Sequence, residues 1–158
     1  MINEGLKISG ELDIVLRGPD GKIKLERKEK NMVMNVGLAH IASRLKDATA
    51  PAMSYMGVGT SNTAPNATQT DLLTTAGARV GPDAGSPSLV MKNVAGDTIQ
   101  FVNTFPAGAS TGALIEAGIF NNSAIGGGTM LCRTVFASGV VNKGPLDSMT
   151  ITWKVTAA

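Results

Sequence analysis

The sequence contains one cysteine, one histidine and few aromatic residues, and each scarcity excludes a class of protein. Cys132 alone cannot form an intramolecular disulfide, so folding does not call for an oxidising compartment. With His40 as the only imidazole, neither a Cys–His pair nor a Ser–His–Asp triad has a local signature. No cluster of His and Cys has the spacing of a zinc site. The sequence therefore predicts no catalytic residue, no metal site and no cofactor.

Motifs of phosphate-binding and sugar-cleaving enzymes are also missing. The glycine triplet 126–128 is followed by Thr129 and Met130 instead of Lys-Ser/Thr, and it precedes a predicted strand instead of a helix. It is therefore interpreted as a turn and not as a phosphate-binding loop. Glu116 is the only acid between Asp97 and Asp147, so no second carboxyl group suggests a glycosidase pair. We expect a protein that is not an enzyme.

The sequence also lacks long apolar runs and a strong charge imbalance. No window approaches the roughly 18 to 20 uncharged apolar residues of a membrane span. Residues 1–5 lack the basic and apolar regions of a signal peptide. The formal net charge is only +2, and acids nearly match the basic residues of the first third. We expect cytoplasmic synthesis, no membrane and no nucleic-acid partner.

Charge is concentrated near the N-terminus. Residues 1–47 carry nine Lys/Arg and seven Asp/Glu, whereas residues 48–158 carry five of each. The second stretch is rich in Gly, Ala, Ser, Thr and Asn, and it lacks the interspersed charge that keeps a free monomer well solvated. This pattern favours a surface that neighbouring molecules cover. The alternative is a neutral globular domain.

The segment 1–30 predicts an N-terminal β-hairpin. The even positions carry apolar residues at Leu6, Ile8, Leu12, Ile14 and Leu16, which is typical of a strand with one buried face. Residues 18–21 (GPDG) form a turn sequence, and the alternation resumes over 22–29. The mixed-sign run 26–30 indicates a solvated sheet edge.

The segment 31–47 changes to a helical period, which predicts one helix of about three turns. Its expected core face consists of Met34, Leu38, Ile41, Ala42 and Leu45. Either Asn31 or Asn35 is expected to cap its start. His40 is interpreted as a packed or partly exposed helix residue, in preference to a ligand or general base.

The segment 48–158 alternates short apolar stretches with turn-forming clusters, which predicts a β-sandwich. The predicted strands are 53–58, 89–93, 98–105, 113–120, 129–136 and 148–156, and the longest connections are 59–70 and 77–87. In the last strand, alternation makes Trp153 a core anchor. Within the β segment, Glu116 is expected to form a structural ion pair with Arg133 on the neighbouring strand. The predicted fold is mainly β: a single β-rich structural domain, 1–158, with about seven to nine strands and one α-helix, arranged as a two-sheet sandwich or jelly-roll-like structure.

Several stretches resemble a family of small bacteriophage virion proteins. The first group is 31–42 (NMVMNVGLAHIA) and 53–60 (MSYMGVGT), followed by 72–73 and Arg79. The second group is 115–121 (IEAGIFN), 128–136 (GTMLCRTVF) and 150–155 (TITWKV). Proteins with this order of motifs are described as capsid decoration, cement or tail-fibre-related proteins. The resemblance implies a jelly-roll-like β fold, no cofactor and repeated copies on a symmetric lattice.

The resemblance also implies a function. It indicates a non-enzymatic virion structural protein that decorates or cements the capsid surface by bridging subunits of the major capsid protein. The expected partners are that protein and further copies of the chain itself, as a homotrimer or another symmetric oligomer. The hairpin and the connections 59–70 and 77–87 are the expected contact elements. The alternatives are a tail, neck or fibre-attachment subunit and, as a third class, a receptor- or glycan-binding module.

Overall fold

The computed structural model describes residues 5–158, which form eleven strands and one helix. The strands are β1 (Ile8–Arg17), β2 (Ile23–Lys30), β3 (Met32–Val33), β4 (Tyr55–Gly59), β5 (Ser88–Val90), β6 (Thr98–Phe105), β7 (Gly112–Leu114), β8 (Glu116–Phe120), β9 (Met130–Val135), β10 (Val141–Lys143) and β11 (Ser148–Ala157). The helix is α1 (Asn35–Lys46). The mainly β class with one helix and an N-terminal hairpin is confirmed. Residues 1–4 of the predicted hairpin segment lie outside the described residues.

Two antiparallel sheets form a sandwich-like arrangement. The five-stranded sheet has the order β2-β1-β11-β6-β5, and the four-stranded sheet has the order β3-β9-β8-β4. A third, two-stranded sheet pairs β10 with β7. Because side chains alternate along β1 and β11, those of Leu12, Ile14, Ile151 and Trp153 lie in one hydrophobic core. Ile119 of the four-stranded sheet belongs to the same core. The period-two pattern thus places one face of each sheet against the other.

The hairpin is part of the sandwich, because β1 pairs with β2 on one side and with β11 on the other. In its turn the Gly21 amide donates to the Gly18 carbonyl, and the Lys22 amide donates to Asp20 Oδ1 at 3.0 Å. Gly21 has a φ of 78°, a conformation that glycine adopts without a steric penalty. The charged strand β2 lies at the edge of the five-stranded sheet, as its mixed-sign run indicates.

The helix departs from the prediction at its start and in its buried face. It begins at Asn35 and follows strand β3, and its N-cap is Met34, whose side chain makes no capping bond. The predicted caps were therefore wrong. Within the helix Gly37 and His40 are buried, whereas the predicted core residue Leu45 is 81% exposed. The cause is Gly37, since it lacks a side chain and lets the helix backbone lie directly on the backbone of Leu131 in β9.

We expect Gly37→Ala to destabilise the protein although alanine is the better helix former. A Cβ atom at this position would overlap the carbonyl group of Leu131. Overpacking of this kind costs about 1–3 kcal/mol, whereas helix propensity alone would favour alanine by about 1 kcal/mol. Urea denaturation measures the difference. Ala39→Gly, at an exposed helix position, calibrates the propensity term, and a Gly37→Ala variant more stable than wild type would contradict this account.

The predicted strand 113–120 is divided at Ile115. Residues before it pair with β10, and residues after it pair with β4 and β9. The Ile115 amide donates to Gly59, and its carbonyl accepts from Phe136, so Ile115 marks the crossover from one sheet to the other.

Within residues 5–158 no helix is long and apolar enough to cross a membrane.

The turn between β5 and β6 is held by a single carboxylate. Asp97 accepts the amides of Lys92 and Asn93 at 2.8 Å and that of Val94 at 3.1 Å, and it also accepts the Thr98 hydroxyl. The Lys92 bond is the largest cause that holds the pKa of Asp97 well below its ordinary value of 3.8. A lowered pKa means that the folded state favours the charged carboxylate.

Acid should therefore remove the stabilisation that Asp97 provides. The contribution is complete above the ordinary pKa of 3.8 and is lost as the pH falls from there towards the lower folded-state value. We expect Asp97→Asn to be less stable than wild type at pH 7, and the gap to narrow steadily below about pH 4. Urea denaturation at a series of pH values tests this, and a gap that is equally wide at pH 7 and about pH 2.5 would reject it.

Candidate functional site

Two loops cover the outer side of the four-stranded sheet, where glycines leave space above the strands. Gly57 in β4 lies directly opposite Gly118 in β8. Side chains of Phe120 and Leu72 fill the space above them, and a Cβ at Gly118 would stand 3.0 Å from the Phe120 ring. Glycine at these two positions thus lets loop residues pack closely against the sheet. We call the surface formed by residues 60–79 and 121–129 the loop face.

The edge strand β4 of this sheet is covered by the same loop. The amides of Met56 and Val80 each donate to the other residue's carbonyl, at 3.0 and 2.8 Å. The Ala76 amide donates to Val58 at 2.9 Å. Isolated bridges at Thr75 and Val80 therefore cover the edge of β4.

Glu116 and Arg133 lie together beneath the loop face, and both side chains are 0% exposed. Arg133 Nη2 and Nε donate to Glu116 Oε2 at 2.8 and 3.0 Å. Glu116 faces Val135 in the sheet register and Arg133 faces Gly118, so the two are diagonal neighbours on adjacent strands. The structure thus brings together the two residues that the sequence suggested as a pair.

Both members of this pair also hold the loop. Glu116 accepts the backbone amides of Ser61, Leu73 and Thr74, the last at 2.8 Å. Arg133 Nη1 donates to the Thr63 carbonyl at 3.1 Å and to Gln69 Oε1 at 3.0 Å. The carboxylate fixes the two ends of the loop and the guanidinium fixes its middle. Charge-assisted hydrogen bonds of this kind are the strong ones in proteins.

A second buried arginine joins the two loops. The Arg79 guanidinium lies 3.5 Å from the centre of the Phe120 ring, a cation–π contact. Its Nη1 donates to the carbonyls of Asn122 and Gly127 at 2.9 Å, and its Nη2 donates to Asp71 Oδ1 at 3.0 Å. Arg79 thereby ties residues 121–129 to the loop that contains Asp71. Sequence reasoning named Arg79 only within the family resemblance and assigned it no role, because its partners are mostly backbone carbonyls. The scarcity of basic residues after position 47 was a further signal.

The exposed part of the loop face carries no free charge. Its two charged residues, Asp71 and Arg79, pair with each other, and the ion pair beneath them is buried. Leu73 and Ile125 are about half exposed, and the remaining exposed positions are Asn, Thr, Ser, Ala and Gly. The exposed charges of strands β1 and β2 lie on the other sheet. The loop face is therefore a neutral surface that is held in place from below.

The remaining candidate residues are buried. Trp153 is fully buried, and its Nε1 donates to Asn31 Oδ1 at 2.6 Å. Burial raises the pKa of the Cys132 thiol well above its usual value, so Cys132 is not an activated nucleophile. Burial, with a smaller effect of Arg44, lowers the pKa of His40. Within residues 5–158 no three His, Cys, Asp or Glu side chains converge as potential metal ligands.

Comparisons of the chain with models of protein families, with curated proteins and with solved structures found no match. The loop face is accordingly interpreted from its own chemistry. It offers neither a nucleophile–base pair nor a charged pocket among the described residues, but it does offer a neutral, fixed surface. Such a surface is suited to contact with another macromolecule.

Proposed function

We propose that this chain is a non-enzymatic structural protein of a bacteriophage virion, which decorates or cements the capsid by bridging subunits of the major capsid protein. The observation that carries the proposal is the neutral loop face, fixed by the Glu116–Arg133 and Asp71–Arg79 pairs. The family resemblance of the sequence supplies the virion setting. The loop face supplies a surface suited to permanent contact.

Two physical arguments favour binding through this surface. The cores of protein interfaces are depleted in charged residues, because removing water from an unpaired charge is costly. In the loop face the charges of Asp71 and Arg79 neutralise each other, and so do those of Glu116 and Arg133 beneath it. A fixed loop also loses less conformational entropy on binding than a loop that must first become ordered.

A capsid would multiply one such contact by symmetry. A standard interface buries about 1,600 Å². When a subunit has bound one neighbour, the effective concentration of its second binding surface at the next neighbour is high, so the two contacts together hold the neighbours more tightly than either contact alone. We place the chain at threefold positions as a homotrimer, with the major capsid protein and its own copies as partners. Of the predicted contact elements, loop 59–70 belongs to the loop face, whereas the charged hairpin lies on the other sheet and is assigned to solvent.

The test is quantitative mass spectrometry of purified particles of the phage that encodes the chain. A copy number near that of the major capsid protein, or in the hundreds per particle, supports cementing. About a dozen copies or fewer would assign the chain to the tail, neck or fibre attachment. Absence from the particle would reject the virion function.

Charge introduced into the loop face should prevent particle binding without unfolding the protein. We expect Leu73→Asp and Ile125→Asp each to weaken retention on particles by at least about tenfold, or 1.4 kcal/mol. Each variant would bury an unpaired carboxylate when the loop face contacts the particle. Surface substitutions usually change folding stability by less than about 0.5 kcal/mol. Leu146→Asp, at an exposed position in the turn before β11, is the matched control. Equal retention of all three variants would exclude the loop face as the contact surface.

A further inference from the structure

A second surface outside the loop face has the form of a binding groove. It lies between helix α1 and the end of the five-stranded sheet formed by β5 and β6, and its volume is about 440 Å³. Ile41 and Leu45 of the helix form one wall, Ile99 and Phe101 of β6 form the other, and Leu131 is also part of the lining. Ligand sites in proteins commonly measure about 300–1,000 Å³ and are mostly apolar. The volume of the groove and its mostly apolar lining fall within this range.

Three apolar side chains in or beside this groove are exposed, whereas Met53, Phe101 and Leu131 of its lining are buried. Leu45 is 81% exposed and Ile99 is 40% exposed. Leu89, directly opposite Ile99 on β5, is 69% exposed. This is the helix side that the sequence pattern assigned to the core, and the contact of Gly37 with β9 turns it outward. Groups of exposed apolar side chains often mark interaction sites.

The charge at the groove is positive. Arg44 is its only charged lining residue and forms no salt bridge within residues 5–158. Its Nη1 donates to the carbonyls of Ala48 and Ala50, which holds the guanidinium at the end of the helix. His40 also lines the groove, and its lowered pKa leaves it neutral at pH 7. An occupant would therefore meet an apolar surface with one uncompensated cation at its rim.

A second copy of the chain is a poor occupant. A twofold contact through this face would place the Arg44 side chains of both copies in the same interface, and like charges across an interface are repulsive. An acidic group beside apolar side chains matches both the lining and the rim. An arginine guanidinium binds a carboxylate with two parallel hydrogen bonds.

We propose that this groove binds an apolar peptide segment that carries an acidic side chain, with the apolar side chains between α1 and β6 and the carboxylate on Arg44. The inference rests on the proposed function only for the source of the segment, which is the major capsid protein. The groove would then be a second contact with the same partner, separate from the loop face.

The direct test uses the acetylated, amidated hexapeptide Gly-Leu-Phe-Leu-Glu-Gly and its counterparts with Gln or Lys in place of Glu. Each is titrated into the full chain and followed by NMR of the side-chain methyl groups. We expect saturable shifts at Ile41, Leu45 and Ile99, and at least about tenfold weaker binding of the Lys peptide, or 1.4 kcal/mol. Arg44→Gln should abolish the preference for Glu over Gln. Leu45→Ser should weaken all three peptides, whereas Leu146→Ser should not.

Three results would overturn the proposal. The first is equal binding of the Glu and Lys peptides, and the second is shifts spread over other exposed apolar residues such as Leu146. The third is a wild-type dimer in sedimentation that Leu45→Ser dissociates, since the occupant would then be a second copy.

Retention on particles separates this proposal from the proposed function. If particles retain wild type and Leu146→Ser but lose Leu45→Ser, the segment comes from the particle. If particles contain no copy of the chain while the groove still prefers the Glu peptide, the proposed function fails and the groove proposal stands. If particles retain Leu45→Ser as well as wild type, the groove is not a contact with the capsid protein.

Discussion

Replacing Arg133 with methionine is expected to lower the free energy of unfolding by about 3–5 kcal/mol, because the Glu116 carboxylate would remain buried without its counter-charge. Both side chains are completely inaccessible, so solvent cannot screen the lost interaction. Arg133→Met also removes the donors to Thr63 and Gln69 that hold the middle of the loop. Urea denaturation followed by circular dichroism measures the loss.

A double variant separates the buried charge from the lost contacts. Glu116→Gln combined with Arg133→Met should be more stable than Arg133→Met alone, because the amide oxygen can still accept from Ser61 and Thr74 and no unpaired charge remains buried. Lys28→Met breaks an exposed salt bridge with Asp13 and should leave stability nearly unchanged. An Arg133→Met variant within about 1 kcal/mol of wild type would show that the pair is not structurally important.

Arg133→Met should also disturb the loop face. The amides of Ser61 and Thr74 are held by Glu116, whose position depends on Arg133. Native-state hydrogen exchange at these two amides should accelerate more than exchange in β11, because the loop would open separately from the core.

Trp153→Ala is expected to be as damaging, at about 3–5 kcal/mol. Trp153 lies in the middle of the five-stranded sheet, with Leu12 opposite on β1 and Phe101 opposite on β6, and it is fully buried. Removing its ring would leave a cavity between two rigid sheets, which collapse poorly around it. The chain has no other tryptophan, so unfolding should be followed by circular dichroism instead of fluorescence.

Trp153→Phe isolates the polar part of this effect. Phenylalanine keeps most of the apolar contact but cannot donate to Asn31 Oδ1. Because Asn31 Nδ2 is already buried without a partner, the side chain would lose its only strong bond. A loss of about 1–3 kcal/mol is expected for the unsatisfied group. If Trp153→Ala and Trp153→Phe were equally destabilised, packing of the ring would not be the main contribution.

The parts of the fold that the sequence predicted are those governed by local periodicity. The alternation over 148–156 and the apolar stretch 98–105 between turn-forming clusters led to β11 and β6 with nearly correct bounds, because one face of each strand is core. Strands β3 and β10 contain two and three residues, too few for a period to be visible. They exist because β9 and β7 offer them hydrogen-bond partners, which is a tertiary cause.

The helix face and the loop face could not be predicted for a related reason. Hydrophobic periodicity assigns Leu38 and Leu45 to the core, but the close approach of Gly37 to Leu131 decides which side docks. Glu116 and Arg133 were recognised as a pair because they lie in adjacent predicted strands. Their control of residues 61–74 was not visible, since the loop contributes mainly backbone groups, and these are the same for every amino acid.

That dependence on backbone groups has an evolutionary consequence. Arg133 and Arg79 bind the carbonyls of Thr63, Asn122 and Gly127, and Glu116 binds amides at 61, 73 and 74. None of these bonds requires a particular side chain at the loop position. The exposed side chains are therefore free to drift, one substitution at a time, in step with changes in a partner. A few invariant charges beneath the surface would maintain its shape while its sequence diversifies.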